Sequence, residues 1–130
     1  MYYVRINEID YPANFTGKQQ DSLWDNRATK TIHTSSFTLE TALEMFHDDM
    51  EWYIVEKHIE LVQKVDEDGE PMYDDEGNPI MEEVEKETAY SNSEYSMRGD
   101  VTIHPDNSIS IVMGKLTDLE EAYELLYGGE

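Results

Sequence analysis

A row of glutamates in the middle of the chain has a regular spacing that could give its carboxylates a common chemical role. Glu83, Glu85 and Glu87 occupy every second position, which is the period of a β-strand. Residues i and i+2 of a strand lie about 6.6–6.8 Å apart on one face. The three side chains are therefore predicted to form a line of charges at about the spacing of successive phosphates in a nucleic-acid strand. Such a polyanion mimic would occupy a surface that normally holds nucleic acid.

The segment before this row carries further carboxylates in two repeated turns. V-D-E-D-G-E-P-M over residues 65–72 is echoed by Y-D-D-E-G-N-P-I over residues 73–80. The Gly-x-Pro unit of each copy is typical of a turn. Between Asp66 and Glu87 there are 11 carboxylates and one cation, so this segment carries 10 of the 21 net negative charges. The further residues predicted to bind a partner here are Asp66, Asp68, Asp74, Asp75, Glu76 and Tyr73.

Two other interpretations of the acidic segment stay open. It could be a solvated surface arm and no more, because strongly acidic surfaces are common. The Asp-rich turns could also bind cations, although Gly69 and Gly77 come too early for the spacing of an EF-hand calcium loop.

The remaining residues predict no enzyme, no metal centre and no cofactor. The four histidines are His33, His47, His58 and His104, and none pairs at i, i+4 or forms H-E-x-x-H. The nucleophile, P-loop and dinucleotide signatures are missing from the sequence. Carboxylate pairs abound, but acid–base catalysis needs two differently perturbed groups in a cleft, and no pair is marked out.

Length and charge narrow the class of protein. A chain of 130 residues predicts a single domain, residues 1–130. With 9 Lys and Arg against 30 Asp and Glu, direct binding to nucleic acid or anionic lipid is disfavoured, and a basic protein surface is favoured. There is no cysteine, no secretory signal in M-Y-Y-V-R-I-N and no apolar run of about 20 residues. These features predict a cytoplasmic protein that does not enter a membrane.

The carboxylates are predicted to lie on a projecting β-hairpin, about residues 55–90, with residues 66–79 as its acidic tip. Residues 55–65 alternate as a long strand, and residues 80–90 return beside it. The alternative for residues 51–65 is a helix that continues from residue 38.

Around this hairpin the pattern predicts an α+β fold with a mixed, mainly antiparallel sheet. Strands are predicted over residues 3–6, 11–16 and 28–37, and a second hairpin over 95–104 and 109–113. One helix is predicted over residues 38–50, capped by Thr38 or Ser36. A second is predicted over 117–127, with Thr117 and Glu120 as a capping box and Gly128-Gly129 at its end.

The chain resembles small acidic proteins encoded by bacteriophages and prophages. The resemblance lies in short length, acidity and the order Y-P-A-N-F-T-G (11–17), W-D-N-R (24–27), S-N-S-E-Y (91–95) and M-G-K-L-T (113–117). Among such proteins, anti-CRISPR and anti-restriction inhibitors include acidic DNA mimics. The resemblance covers overall character, so no functional residue is carried over from it.

Together these patterns predict a non-enzymatic inhibitor that occupies the basic nucleic-acid-binding surface of a host defence nuclease, such as a Cas effector. A monomer or small homo-oligomer is expected. The alternative is a virion or tail component of a phage particle, for which acidity would serve solubility and repulsion of DNA.

Overall fold

The structure, a computed structural model, describes residues 1–127, and of Tyr127 only the backbone. Its strands and helices confirm the α+β class. In chain order they are β1 (Tyr2–Ile6), β2 (Ile9–Pro12), β3 (Asn14–Asp21), β4 (Arg27–Thr34), α1 (Leu39–Met45), β5 (Tyr53–Gln63), β6 (Met81–Ser91), β7 (Met97–Ile103), β8 (Ile109–Gly114) and α2 (Asp118–Tyr127).

The strands divide into two four-stranded sheets, where one mixed sheet was predicted. The first has the order β2-β1-β5-β6 and the second the order β3-β4-β8-β7. Every strand pair within residues 1–127 is antiparallel. The chain crosses between the sheets at Ala13, next to Pro12, which has no N–H to continue a ladder of hydrogen bonds.

One apolar cluster joins both sheets to α1. Trp52 is fully buried in it, and its Nε1 donates to the carbonyl of Tyr95 at 3.1 Å. The other fully buried side chains of the cluster come from β1, β4, α1, the residue after α1 and β8: Val4, Ile32, Ala42, Phe46, Ile109, Ile111 and Met113. The alternating strands and the α1 face thus build one continuous core.

The first helix is shorter than predicted. Thr38 is its N-cap, as expected, but the helix ends at Met45 and does not reach residue 50. The side chain of Arg98 donates to the carbonyl of Phe46 at 3.4 Å, and Asp48 Oδ1 accepts from the Arg98 N–H at 2.8 Å. Asp49 then takes a left-handed φ of 62°. Contacts with β7 therefore stop the helix one turn early.

The second helix begins as predicted. Thr117 N–H donates to Glu120 Oε1 at 2.9 Å, and Glu120 N–H donates to Thr117 Oγ1 at 3.2 Å. This reciprocal pair is a capping box. The predicted end of the helix at Gly128-Gly129 lies outside the described residues.

The long hairpin is confirmed, and residues 53–63 form a strand, so the helix alternative is wrong. β5 and β6 pair over their whole length, from Tyr53–Ser91 to Gln63–Met81. β1 pairs with β5 only as far as Glu56. Residues 58–86 therefore extend beyond the sheet as two strands and a tip, and this segment is called the arm.

Candidate protein-binding arm

A network of charged side chains fixes the base of the arm. Arg5 donates to both carboxylate oxygens of Asp10, at 2.6 and 3.0 Å, and also to Glu87 Oε2 at 3.0 Å. Lys57 Nζ lies 2.9 Å from Asp10 Oδ2. The four residues come from the four strands of the first sheet, so the network ties the sheet together where the arm leaves it.

Asp10 is the centre of this network. The hydrogen bonds from Arg5, with a smaller contribution from Lys57, lower the pKa of the Asp10 carboxyl to about 2. Val55 lies on the same face of the sheet and is fully buried. The ionised network therefore lies on the same face as a buried apolar side chain at the base of the arm.

The predicted carboxylate row is present, but its three members have different surroundings. Glu83, Glu85 and Glu87 lie at alternate positions of β6 and so share one face. Glu87 is bound to Arg5 at the base, whereas Glu83 and Glu85 belong to the projecting arm. The part of the row that projects beyond the sheet is therefore the pair Glu83 and Glu85.

The strand register places apolar side chains directly across from this pair. Glu83 is opposite Leu61 and Glu85 is opposite Ile59. Directly paired residues of antiparallel strands point to the same face. Ile59 is 66% exposed and Leu61 is 65% exposed. Together with Met81 these four residues form what is called the outer face of the arm.

The outer face contains exposed apolar side chains as well as carboxylates. A phosphate mimic needs only carboxylates, but here each free carboxylate has an exposed aliphatic neighbour. The apolar positions Ile59 and Leu61 belong to the alternation of β5, so their side of the strand was predictable. Their pairing with Glu83 and Glu85 was missed because it depends on how the 66–79 tip closes.

The tip consists of two copies of one loop, as the eight-residue repeat indicates. Asp66 Oδ1 accepts the backbone N–H groups of residues 68 and 70, at 2.9 and 3.0 Å. Asp74 Oδ1 accepts those of residues 76 and 78, both at 2.9 Å. Gly69 and Gly77 take left-handed φ angles of 80° and 84°. Each loop is thus closed by an aspartate that bonds its own backbone.

The remaining predicted residues of the tip are exposed. Asp66 and Asp74 each use one carboxylate oxygen within their own loop, so they act in part as loop-forming residues. The other predicted residues, which are exposed and make no such bond within their loops, are Asp68, Tyr73, Asp75 and Glu76. The tip thus holds charge on a defined backbone, joined to the Glu83–Glu85 pair by the return strand.

Of the four histidines only His58 belongs to the arm, and it points away from the Glu83–Glu85 pair. His58 Nε2 lies 2.8 Å from Glu60 Oε1 on the opposite face of the arm. His47 Nδ1 lies 2.8 Å from the carbonyl of Asp48. Within residues 1–127, no three His, Cys, Asp or Glu side chains are grouped so that they could hold a metal ion.

A histidine cluster that the sequence did not reveal lies on the second sheet. Ser110 Oγ is 2.8 Å from His33 Nδ1 and 2.6 Å from His104 Nε2, and Thr16 Oγ1 is 3.0 Å from His33 Nε2. Thr16, His33 and the hairpin that carries His104 and Ser110 are far apart in the chain, and the β3-β4-β8-β7 order brings them together. Ser110 is buried, so the cluster joins strands through hydrogen bonds.

A buried arginine anchors α2 to the second sheet. The side chain of Arg27 is 2% exposed and donates to both carboxylate oxygens of Glu120, at 2.7 and 3.0 Å. Its guanidinium lies 4.6 Å from the centre of the Trp24 ring. Trp24 itself packs against Gly99 and Gly114, where a Cβ atom would come within 2.7 and 2.6 Å of the ring. The loop over residues 22–26 thus serves packing.

None of the helices formed by residues 1–127 is long and apolar enough to cross a membrane. Comparisons with known proteins give no assignment: no family model matches the chain, and no curated protein or solved structure is significantly similar to it.

Proposed function

We propose that the protein is a non-enzymatic inhibitor whose arm docks on the Lys- and Arg-lined nucleic-acid-binding surface of another protein. One observation carries the proposal. Residues 58–86 project as a two-stranded arm that bears 11 carboxylates and two lysines. The resemblance to small acidic phage proteins favours a host defence nuclease, such as a Cas effector, as the partner, in the cytoplasm of an infected or lysogenic bacterium.

The two parts of the outer face would have different roles in docking. Glu83, Glu85 and the tip carboxylates would replace the phosphates of the nucleic acid, and they would speed association by electrostatic attraction. Ile59 and Leu61 would contact apolar side chains between the partner's cations. Interfaces of this kind commonly have an apolar centre and a charged rim. The mixture favours a protein surface over free cations as the target of the arm.

A competition experiment tests the proposal. A labelled DNA duplex is bound to a panel of Cas effectors and restriction nucleases, and the protein is titrated against each complex. Displacement of DNA from at least one nuclease is expected, with a strong loss of affinity between low and high salt, because both partners are charged. The proposal is contradicted if the protein displaces DNA from none of the nucleases. It is also contradicted if the displacement does not change with salt concentration.

Variants locate the interface on the arm. Glu83→Lys with Glu85→Lys should abolish displacement, whereas Glu87 is left intact because it is bound to Arg5 at the base. The matched control is Glu40→Lys with Glu44→Lys on α1, which makes the same change of net charge at exposed positions elsewhere. Equal losses in both variants would indicate nonspecific charge attraction and would remove the arm as the interface.

A virion or tail component is the second candidate, and the exposed Ile59 and Leu61 are the observation in its favour. Assembly arms bury such side chains against neighbouring subunits. Sedimentation of the purified protein distinguishes the two functions: a ring or higher oligomer that Ile59→Ser with Leu61→Ser disrupts supports assembly. A monomer or small oligomer that still displaces DNA supports inhibition.

A further inference from the structure

The strand β6 forms an open edge of the first sheet. It is the last strand in the order β2-β1-β5-β6, and within residues 1–127 it pairs with β5 alone. Every residue of β6 except Val84 is exposed. A strand at the edge of a sheet presents a row of backbone N–H and C=O groups with which another strand can pair. The outer side of β6 is therefore open to a further strand.

The hydrogen bonds of the hairpin show which backbone groups lie at this edge. At one end Lys64 N–H donates to the carbonyl of Ile80 at 2.7 Å, and at the other Asn92 N–H donates to the carbonyl of Trp52 at 2.9 Å. Hydrogen-bonded pairs alternate with pairs that are not hydrogen-bonded, so the even-numbered residues of β6 point their N–H and C=O groups at β5. The odd-numbered residues point theirs outward and form what is called the β6 edge: Met81, Glu83, Glu85, Glu87, Ala89 and Ser91.

The other edge strands in the described part of the chain carry features that hinder pairing. β2 has four residues and ends at Pro12, which has no N–H. The register of β3 shifts between Lys18 and Asp21, and that of β7 shifts between Arg98 and Val101. Shortness, proline and bulges are the means by which proteins protect their sheet edges. β6 has 11 residues and pairs with β5 without a register shift, so it is the long and regular edge of the two sheets.

The charges of the β6 edge decide which strand fits there. Directly opposite residues of antiparallel strands point to the same face, and like charges at such positions are destabilising. Two copies of β6 paired about Glu85 would place glutamate opposite glutamate, and each copy carries a net charge of −21. Glu87 is already bound to Arg5, so Glu83 and Glu85 are the carboxylates left to pair with an added strand. Complementary charge requires Lys or Arg at two alternate positions of that strand.

We propose that the β6 edge binds an extended segment of a partner protein in which Lys or Arg occupies every second position. The segment would join the four-stranded first sheet antiparallel to β6, which is binding by β-strand addition. Its backbone would exchange hydrogen bonds with Glu83 and Glu85, and its cationic side chains would face their carboxylates. This assignment does not rest on the inhibition of a nuclease, because it concerns the backbone edge of the arm and the chemistry that this edge pairs with.

Two peptides that differ only in which backbone N–H groups are blocked test this edge. Each alternates lysine with threonine and carries two backbone N-methyl groups, on lysine residues in one peptide and on threonine residues in the other. When the lysines lie opposite Glu83 and Glu85, their N–H groups point at β6 and those of the threonines point away. The whole protein should bind the threonine-methylated peptide about tenfold or more tightly, because methylation of the lysines removes two hydrogen bonds. Equal affinity, or binding of neither peptide, overturns the proposal.

Two variants of one residue assign the binding to the β6 edge. Glu85→Ala removes a carboxylate, and Glu85→Pro removes the same carboxylate together with the outward N–H, which an edge strand tolerates. The proline variant should bind the threonine-methylated peptide about tenfold more weakly than the alanine variant, while hydrogen exchange of the even-numbered β6 amides shows that the hairpin is retained. Equal affinity of the two variants overturns the proposal. So does a dimer in sedimentation that Glu85→Pro dissociates, because a second copy would then occupy the edge.

Discussion

At the scale of single residues, Glu120 has two structural roles. It closes the capping box of α2 with Thr117, and it pairs with the buried Arg27. Replacing it with glutamine keeps the shape but removes the charge that faces the guanidinium. Glu120→Gln should lower the free energy of unfolding by about 1–2 kcal/mol, because charge-assisted hydrogen bonds exceed neutral ones and Glu120 is partly exposed. Urea unfolding measures this loss. Glu121→Gln, on the exposed side of the same turn, is the control and should change it by less than about 0.5 kcal/mol.

Asp10 and Glu120 make stability depend on pH in a defined direction. Their folded pKa values are both lowered to about 2, by Arg5 and Arg27 respectively, from the ordinary values of 3.8 for Asp and 4.5 for Glu. A carboxyl whose pKa is lower in the folded state than in the unfolded state stabilises the fold at pH values above its unfolded pKa. This stabilisation is lost as the pH falls through the folded pKa. The free-energy gap between the wild type and Asp10→Asn with Glu120→Gln should therefore narrow from about pH 5 to about pH 2. A gap that stays constant contradicts the assignment.

At the scale of elements, the two loops of the tip should respond alike to the loss of their aspartates. Asp66→Ala and Asp74→Ala each remove the acceptor of two backbone N–H groups. Hydrogen exchange should rise in the mutated loop, while the β5–β6 amides near Tyr53 stay protected, because the tip is far along the hairpin from the core. Asp75→Ala is the control. Loss of protection at the base would mean that the arm opens as one unit.

The arm and the starts of both helices were predictable, because each is determined by residues that are close together in the sequence. The alternation in β5 and β6, the repeated turn and the Thr117–Glu120 capping box all belong to this class. The end of α1 was not predictable in the same way, because it depends on Arg98, which comes from β7. The ion pair that holds Glu87 at the base of the arm was also not predictable, because its partner Arg5 is 82 residues away in the sequence. The Ser110 cluster and the Arg27–Glu120 pair require the sheet order, which no periodicity specifies.

At the scale of the whole molecule, several of the positive charges are used inside the fold, whereas most of the surplus negative charges lie outside it. Arg5, Arg27 and Lys57 are committed to internal ion pairs. Lys30 bonds Asn92 and lies 4.8 Å from the centre of the Tyr95 ring. The arm, by contrast, offers most of its carboxylates to solvent. The exposed surface of the arm therefore carries most of its charge as negative charge.

This distribution predicts that salt stabilises the protein. Raising sodium chloride from about 0.05 M to about 0.5 M shortens the Debye length from above 10 Å to a few Å. Repulsion among exposed carboxylates should weaken more than the short, partly buried ion pairs of Arg5 and Arg27, so Tm should rise by several degrees. Glu82→Gln with Glu83→Gln and Glu85→Gln should show a smaller rise, because part of the repulsion is already gone. A Tm that falls with salt would mean that the ion pairs, and not the surplus charge, dominate the electrostatics of the fold.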